Sequence, residues 1–171
     1  EALAWHPIPA SLAALDRAAR QDRASSVRRE AAEALGDLRM PEAAPVLIAL
    51  AKPLDDLEVR REAIEALGER PETAARDALG AIARDDANLD MQREAVETLG
   101  DLKDGAGVAI LQDLLRTHPR PDVRREAIET LVDRGSAAEA ILLLREVLQR
   151  ETNIDVQREA VERLADIDDG A

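Results

Sequence analysis

Apolar residues fall along this chain in two alternating registers, each with the three-and-four spacing of a helix that buries one side. One register is Val27, Ala31, Leu35 and Leu38. It restarts at Val59, Met91, Val123 and Val156, in steps of 32 residues three times and 33 once. The position of Ala32 becomes Ile64, Val96, Ile128 and Val161, which widens the stripe enough to pack on two neighbours. The other register places Leu15, Leu47, Leu79, Leu111 and Leu144 in one ladder, and Ala18, Leu50, Ile82, Leu114 and Val147 in a second. A fixed period of this size is the mark of stacked helix pairs that each bury an incomplete face.

The pattern predicts an all-α fold of five helix pairs, as one repeat domain over 10–171 after an extended segment over 1–9. First helices are expected over 10–22, 42–52, 72–84, 105–117 and 137–150, and second helices over 25–38, 57–69, 89–102, 121–133 and 154–167. The repeats are thus about 10–38, 42–69, 72–102, 105–133 and 137–167. The one extra residue belongs near Gly135 and Ser136, because a turn tolerates an insertion better than a helix does. Asp56, Asn88 and Asn153 are expected N-caps, each followed by an acid in the first turn. Pro121 suits a first helical position, leaving Arg120 as a poor cap, and the cap near Ala24 is weak. Gly36, Gly68 and Gly100 let a neighbouring helix approach or end their own helix with a left-handed residue. Pro7 and Pro9 keep the lead-in extended. Trp5 there is expected to cover the first apolar face, with partner docking as its other use.

Composition narrows the chemistry. Aromatic residues are one Trp with no Phe and no Tyr, so the core is built from Leu, Ile, Val and Ala. The net charge of −13 argues against a nucleic-acid backbone as ligand and suits a basic partner. With no Cys there is no thiolate ligand or Cys nucleophile. No apolar run approaches the roughly 20 residues that span a bilayer, so no membrane insertion is expected. The compartment stays open. The chain begins at Glu1 and reads as a piece of a longer, bacterial-type protein.

A first helix with Pro45, Leu47 and Leu50, a short acidic turn, and Asp-x-x-Val-Arg-x-x-Ala-x-x-Ala-Leu-Gly from Asp56 to Gly68 together resemble a HEAT repeat. The short period resembles the HEAT-like repeats named after phycobilisome lyases. The resemblance covers about 10–168 and implies a right-handed α-α superhelix. It places first helices on the convex side and second helices along a concave side that holds other macromolecules. It also implies that Arg28, Arg60 and Arg124 each contact an acid in a neighbouring turn, with interruptions at Gln92 and Gln157.

That geometry turns a recurring polar set towards the concave face. The set is Arg29, Glu30 and Glu33; Arg61, Glu62 and Glu65; Arg93, Glu94 and Glu97; Arg125, Glu126 and Glu129; and Arg158, Glu159 and Glu162. Asp37, Glu69, Asp101, Asp133 and Asp166 extend it, so each repeat sets one Arg against three acids. Arg29 and Glu33, four apart, can pair along one helix. One reading is a solvated lattice of ion pairs, each worth roughly 0–1 kcal/mol. The other is an acidic groove that docks a protein or basic peptide.

Catalytic and metal chemistry find less support. The Glu-x-x-Glu pairs have no His companion of the kind a helical carboxylate metal site uses. The two histidines, His6 and His118, precede Pro7 and Pro119 and make no His-Glu pair like that of the HEAT-like di-iron hydroxylases. The basic, aromatic face of HEAT-like DNA glycosylases is missing. Ser25, Ser26 and Ser136 sit at helix starts, where capping explains them. Gly105-Ala106-Gly107 is a turn. No cofactor or metal is expected. The expected function is a non-catalytic protein-interaction scaffold. The alternatives are an accessory, chaperone-like or lyase-type subunit that positions a substrate protein, and a spacer or oligomerising module. Bilin-lyase activity would lack Tyr and Phe to clamp a tetrapyrrole. The last helix keeps Ile154, Val156, Val161, Leu164 and Ile167, which predicts a partly apolar end open to end-to-end self-association.

Overall fold

A computed structural model describes residues 10–53 and 56–169. The lead-in and Trp5 lie outside the described residues. The elements run α1 (Ala10–Gln21), α2 (Ser25–Asp37), α3 (Ala43–Leu50), α4 (Leu57–Gly68), α5 (Thr73–Asp85), α6 (Leu89–Gly100), α7 (Val108–Thr117), α8 (Pro121–Arg134), α9 (Ala137–Arg150) and α10 (Ile154–Asp169). No strand occurs among the described residues.

The caps explain the starts. The side chain of Asp56 accepts the amides of Glu58 and Val59, and that of Asn88 accepts those of Asp90 and Met91. Asn153 likewise accepts from Asp155 and Val156. Ser136 and Glu139 form a reciprocal capping box at α9. Ala24 and Arg120 make no side-chain cap, and Pro121 stands in the first turn of α8. One boundary differs from expectation. Lys103–Gly105 forms a separate 3₁₀ turn, with φ of 57° at Asp104 and 66° at Gly105, so α7 begins at Val108 and not near 105. Two successive left-handed residues cannot continue a right-handed helix.

The chain divides into two compact units, residues 1–78 and 79–171, and the division falls within α5. In the first unit, α2 packs on α1 and α4, and α3 packs on α4. Its core holds Leu12, Leu35, Leu47, Leu50, Ile64 and Leu67, each at most 1% exposed. In the second unit, α8 packs on α6, α7 and α10, around Met91, Leu99, Leu111, Leu114 and Ile128. The Leu47, Leu79, Leu111 and Leu144 rungs are buried, while Leu15 is half-buried. Val27 departs from its register. It is 38% exposed, whereas Val59, Met91, Val123 and Val156 are fully buried. The preceding turn offers only Asp22, Arg23 and Ala24, all exposed, and lays no large apolar side chain over it.

The helix-end glycines serve close approach. A Cβ on Gly36 would stand 2.8 Å from the Ala66 Cβ, and one on Gly100 would stand 2.2 Å from Thr130 Cγ2. Both helices continue through these positions with negative φ. The facing position is small in four repeats (Ala34, Ala66, Thr98, Thr130) and becomes Arg163 in the fifth. Val132 replaces the glycine one repeat earlier, so the two changes match. Gly100→Val is expected to lower stability by about 1–3 kcal/mol through overpacking, read from denaturant unfolding of the variant beside the wild type.

Candidate protein-binding face

The polar residues of the second helices are tied between repeats, and this changes which of them stay available. Arg29 lies 3.9 Å from Glu62 of α4, Arg93 pairs with Glu126 of α8, and Arg125 lies 3.0 Å from Glu159 of α10. The pairing expected along one helix therefore runs across helices, from the Arg of one repeat to the first Glu of the next. The physical reason is burial: Glu126 is 6% exposed, and Glu62 and Glu159 are half-buried. The neighbouring guanidinium is the charge that reaches them. Glu30 has no such preceding Arg and is exposed. Arg61 lies 3.5 Å from Glu58, and Arg158 lies 3.2 Å from Asp155, each on its own helix.

A second ladder uses the preceding Arg position. Arg28 bonds Asp56 at 2.8 Å through Nε, and Arg124 bonds Glu151 at 2.9 Å through Nε and 3.2 Å through a terminal nitrogen. Burial works against both carboxylates, but the Arg bonds and nearby backbone amides outweigh it and hold their pKa values below the usual range. Arg60 is buried and gives its Nε to the Ala51 carbonyl at 3.2 Å. At Gln92 the rung is rebuilt in neutral form. The Gln92 amide donates to the Arg84 carbonyl at 3.1 Å, and its oxygen accepts from Arg120 at 2.8 Å. His118, 4% exposed, accepts the Arg120 amide at Nδ1 and lies 2.9 Å from the Arg84 carbonyl through Nε2. That pattern fixes the Nε2–H tautomer. Gln157 turns back to the Glu151 carbonyl at 2.7 Å.

The position of Arg70 holds Leu38, Leu102, Arg134 and Ile167 in the other repeats, so the repeat pattern does not mark it. The structure buries it to 8% exposure. Its terminal nitrogens donate to the Leu38 carbonyl at 2.5 Å and the Met40 carbonyl at 2.7 Å, and it grips Glu72 at 2.8 Å. The Arg70 bond, opposed by slight burial, keeps the Glu72 pKa low.

What remains on the second-helix face is an excess of carboxylate. In the second unit, Glu97, Asp101, Glu126, Glu129, Thr130, Asp133 and Arg134 line a cavity of about 190 Å³. Arg134 lies 2.5 Å from Asp101, and Arg163 reaches back to Glu129 at 2.6 Å and Asp133 at 3.4 Å. Even so, Glu97 is pushed up to about 6, first by burial, then by the Glu126 and Glu94 carboxylates, with Arg93 opposing. In the first unit, burial and the Glu65 and Glu33 carboxylates raise Glu62, against Arg29. Acids thus crowd one another within each unit. Among the described residues, no group of three His, Cys, Asp or Glu side chains has the arrangement of a metal site.

The raised Glu97 pKa has a signed consequence. The folded state holds this proton more tightly than the unfolded chain, so the contribution is full below about 4.5 and is lost as pH rises through about 6. Glu97→Gln, which mimics the protonated form, should melt above the wild type at pH 7.5, and the gap should close by pH 4.5. A gap that is constant with pH would contradict the assignment.

Repeated helix pairs, a buried aliphatic ladder and cross-repeat ion pairs define an all-α repeat protein. A family profile described as HEAT repeats matches residues 12–90, 52–131 and 76–165. The chain belongs to the HEAT-repeat family. Among solved structures it is similar to a chain in the complex of CpcE and CpcF of phycocyanin lyase from Nostoc sp. PCC7120, at 20% identity and a TM-score of 0.58, over 90% of this chain and 98% of that one. A de novo designed 16-helix transmembrane nanopore matches at 25% identity over 92% of this chain and 50% of that one, but its TM-score is only 0.21. No curated protein sequence matches the chain. No described helix is long and apolar enough to cross a membrane.

Proposed function

We propose that this HEAT-repeat chain is a protein-binding scaffold whose acidic second-helix face takes a basic segment of a partner. The observation that carries the proposal is geometric: Glu97, Asp101, Glu126, Glu129 and Asp133 line one cavity, and among the described residues only Arg93, Arg134 and Arg163 pair with them. A lattice built only for stability would match its charges, because unbalanced like charges work against the fold. A Lys- or Arg-bearing segment lying over Glu97, Glu129 and Asp133 would relieve that repulsion and meet carboxylates already in place.

An Arg-rich peptide titrated at low salt is expected to shift the Glu97, Glu129 and Asp133 side-chain resonances. Binding should weaken by about fivefold for each carboxylate neutralised to an amide, the worth of roughly one exposed charge pair. Shifts spread evenly over the acidic surface would sink the proposal.

A second reading, an accessory subunit that positions a substrate protein, draws on the fold shared with a chain of a phycocyanin lyase complex. It uses the same face, and differs in requiring an enzyme alongside.

A further inference from the structure

Arg84 and Arg116 hold the same place in α5 and α7, but they are partnered differently. In the second unit, Arg84 at the end of α5 straps onto Asp113 of α7 at 2.8 Å. The corresponding residues one repeat later are Arg116 of α7 and Glu146 of α9. That strap is not made. Glu146 turns to Arg150 of its own helix at 2.8 Å, and Arg116 has no carboxylate partner among the described residues. The single 33-residue step falls between α8 and α9, at the entrance to this region.

The two helices touch little, and a groove of about 540 Å³ lies between them. That size falls within the usual range of ligand sites. Leu115, Leu143 and Val147 give it apolar lining, and Arg116 and Arg150 stand exposed at its rim. Its inner end is fixed by the Arg124–Glu151 pair and His118, whose polar atoms already have partners. In a chain of net charge −13, this groove offers three arginines against two glutamates. The Arg150–Glu146 pair is exposed and therefore weak, so an incoming carboxylate can displace Glu146. The lining runs from Leu143 to Arg150, about 10 Å along α9. An extended segment covers that length with about three residues. The exposed rim favours a peptide that keeps one side in water over a small molecule, which would be mostly enclosed.

We propose that the groove between α7 and α9 binds an acidic peptide segment, with one apolar side chain on Leu115, Leu143 and Val147 and flanking carboxylates on Arg116 and Arg150. This site is separate from the acidic face and opposite in charge.

The probe is a labelled peptide with the sequence Gly-Glu-Glu-Leu-Glu-Glu-Gly, titrated onto the intact chain. Saturable binding is expected, with methyl shifts at Leu115, Leu143 and Val147. Arg116→Glu combined with Arg150→Glu should weaken it at least about tenfold, two exposed charge pairs being reversed. Serine in place of the peptide's leucine should weaken it similarly. Arg116→Gln, a milder change, serves if the double reversal alters the helical circular dichroism, and should weaken binding about fivefold. If Arg116 and Arg150 serve only the C-terminal ends of their helices, the variants will lose stability and keep the peptide, which overturns the proposal. So will shifts located elsewhere, no binding up to about 1 mM, or octanoate binding as tightly at the same methyls. The Arg116 variants should leave the Arg-rich peptide's binding to the acidic face unchanged, so the two proposals fail separately.

Discussion

Leu111→Ala is expected to destabilise the second unit by about 2–5 kcal/mol, the range for truncating a buried leucine. Leu111 is 1% exposed and sits on α7 in the core that α6 and α8 complete. Neighbouring aliphatic side chains are themselves fully buried and have little room to close the cavity. Leu15→Ala, at the equivalent but half-buried position, should cost clearly less. Because the chain has two units, one unfolding midpoint is a poor readout. Hydrogen exchange of α7 and α8 amides against those of α2 and α4 resolves the effect by unit. Equal losses for the two variants would contradict the ladder as the main source of stability.

Arg70→Ala should destabilise the first unit by about 2–4 kcal/mol. The change strips hydrogen-bond donors from the Leu38 and Met40 carbonyls and leaves Glu72 without its partner. Unmade bonds at the two half-buried carbonyls are the larger part of that loss. Arg70→Lys should recover only part of it, since one ammonium cannot span two carbonyls and a carboxylate with a planar fork. The pH dependence should change as well. Glu72 titrates below its ordinary value in the folded state, so its contribution is present above about 4.5 and fades as pH falls through the lowered pKa. The variant should lack that acid sensitivity, read from melts between pH 3 and 5.

Helix order and most boundaries could be read from the sequence because a 32-residue period repeats the same burial requirement five times. Caps at Asp56, Asn88 and Asn153 were legible for the same reason. The start of α7 was not, although Asp104-Gly105 is a pair that tolerates positive φ and Gly105-Ala106-Gly107 reads as a turn, because the helical spacing is carried back through them. The glycines left two uses open, and only the 2.8 Å approach to Ala66 chooses between them. The recurring Arg and Glu positions could be picked out by residue type, but their pairing was hidden. Spacing along one helix suggests Arg29 with Glu33, whereas the offset between packed helices brings Arg29 to Glu62. Arg70 was masked because three of its four equivalents, Leu38, Leu102 and Ile167, are aliphatic. At the groove between α7 and α9, Glu146 pairs with Arg150 and not with Arg116, which only the structure can show.

The central claim is that carboxylate crowding on the second helices is built for a cationic partner. The most direct measurement is calorimetric titration of an Arg-rich peptide near pH 6, in buffers of different ionisation enthalpy. Cationic contact should draw Glu97 back below its raised value of about 6, so binding should release protons. That release should be much reduced in Glu97→Gln. Binding with no proton release, or release unchanged in that variant, would contradict the claim.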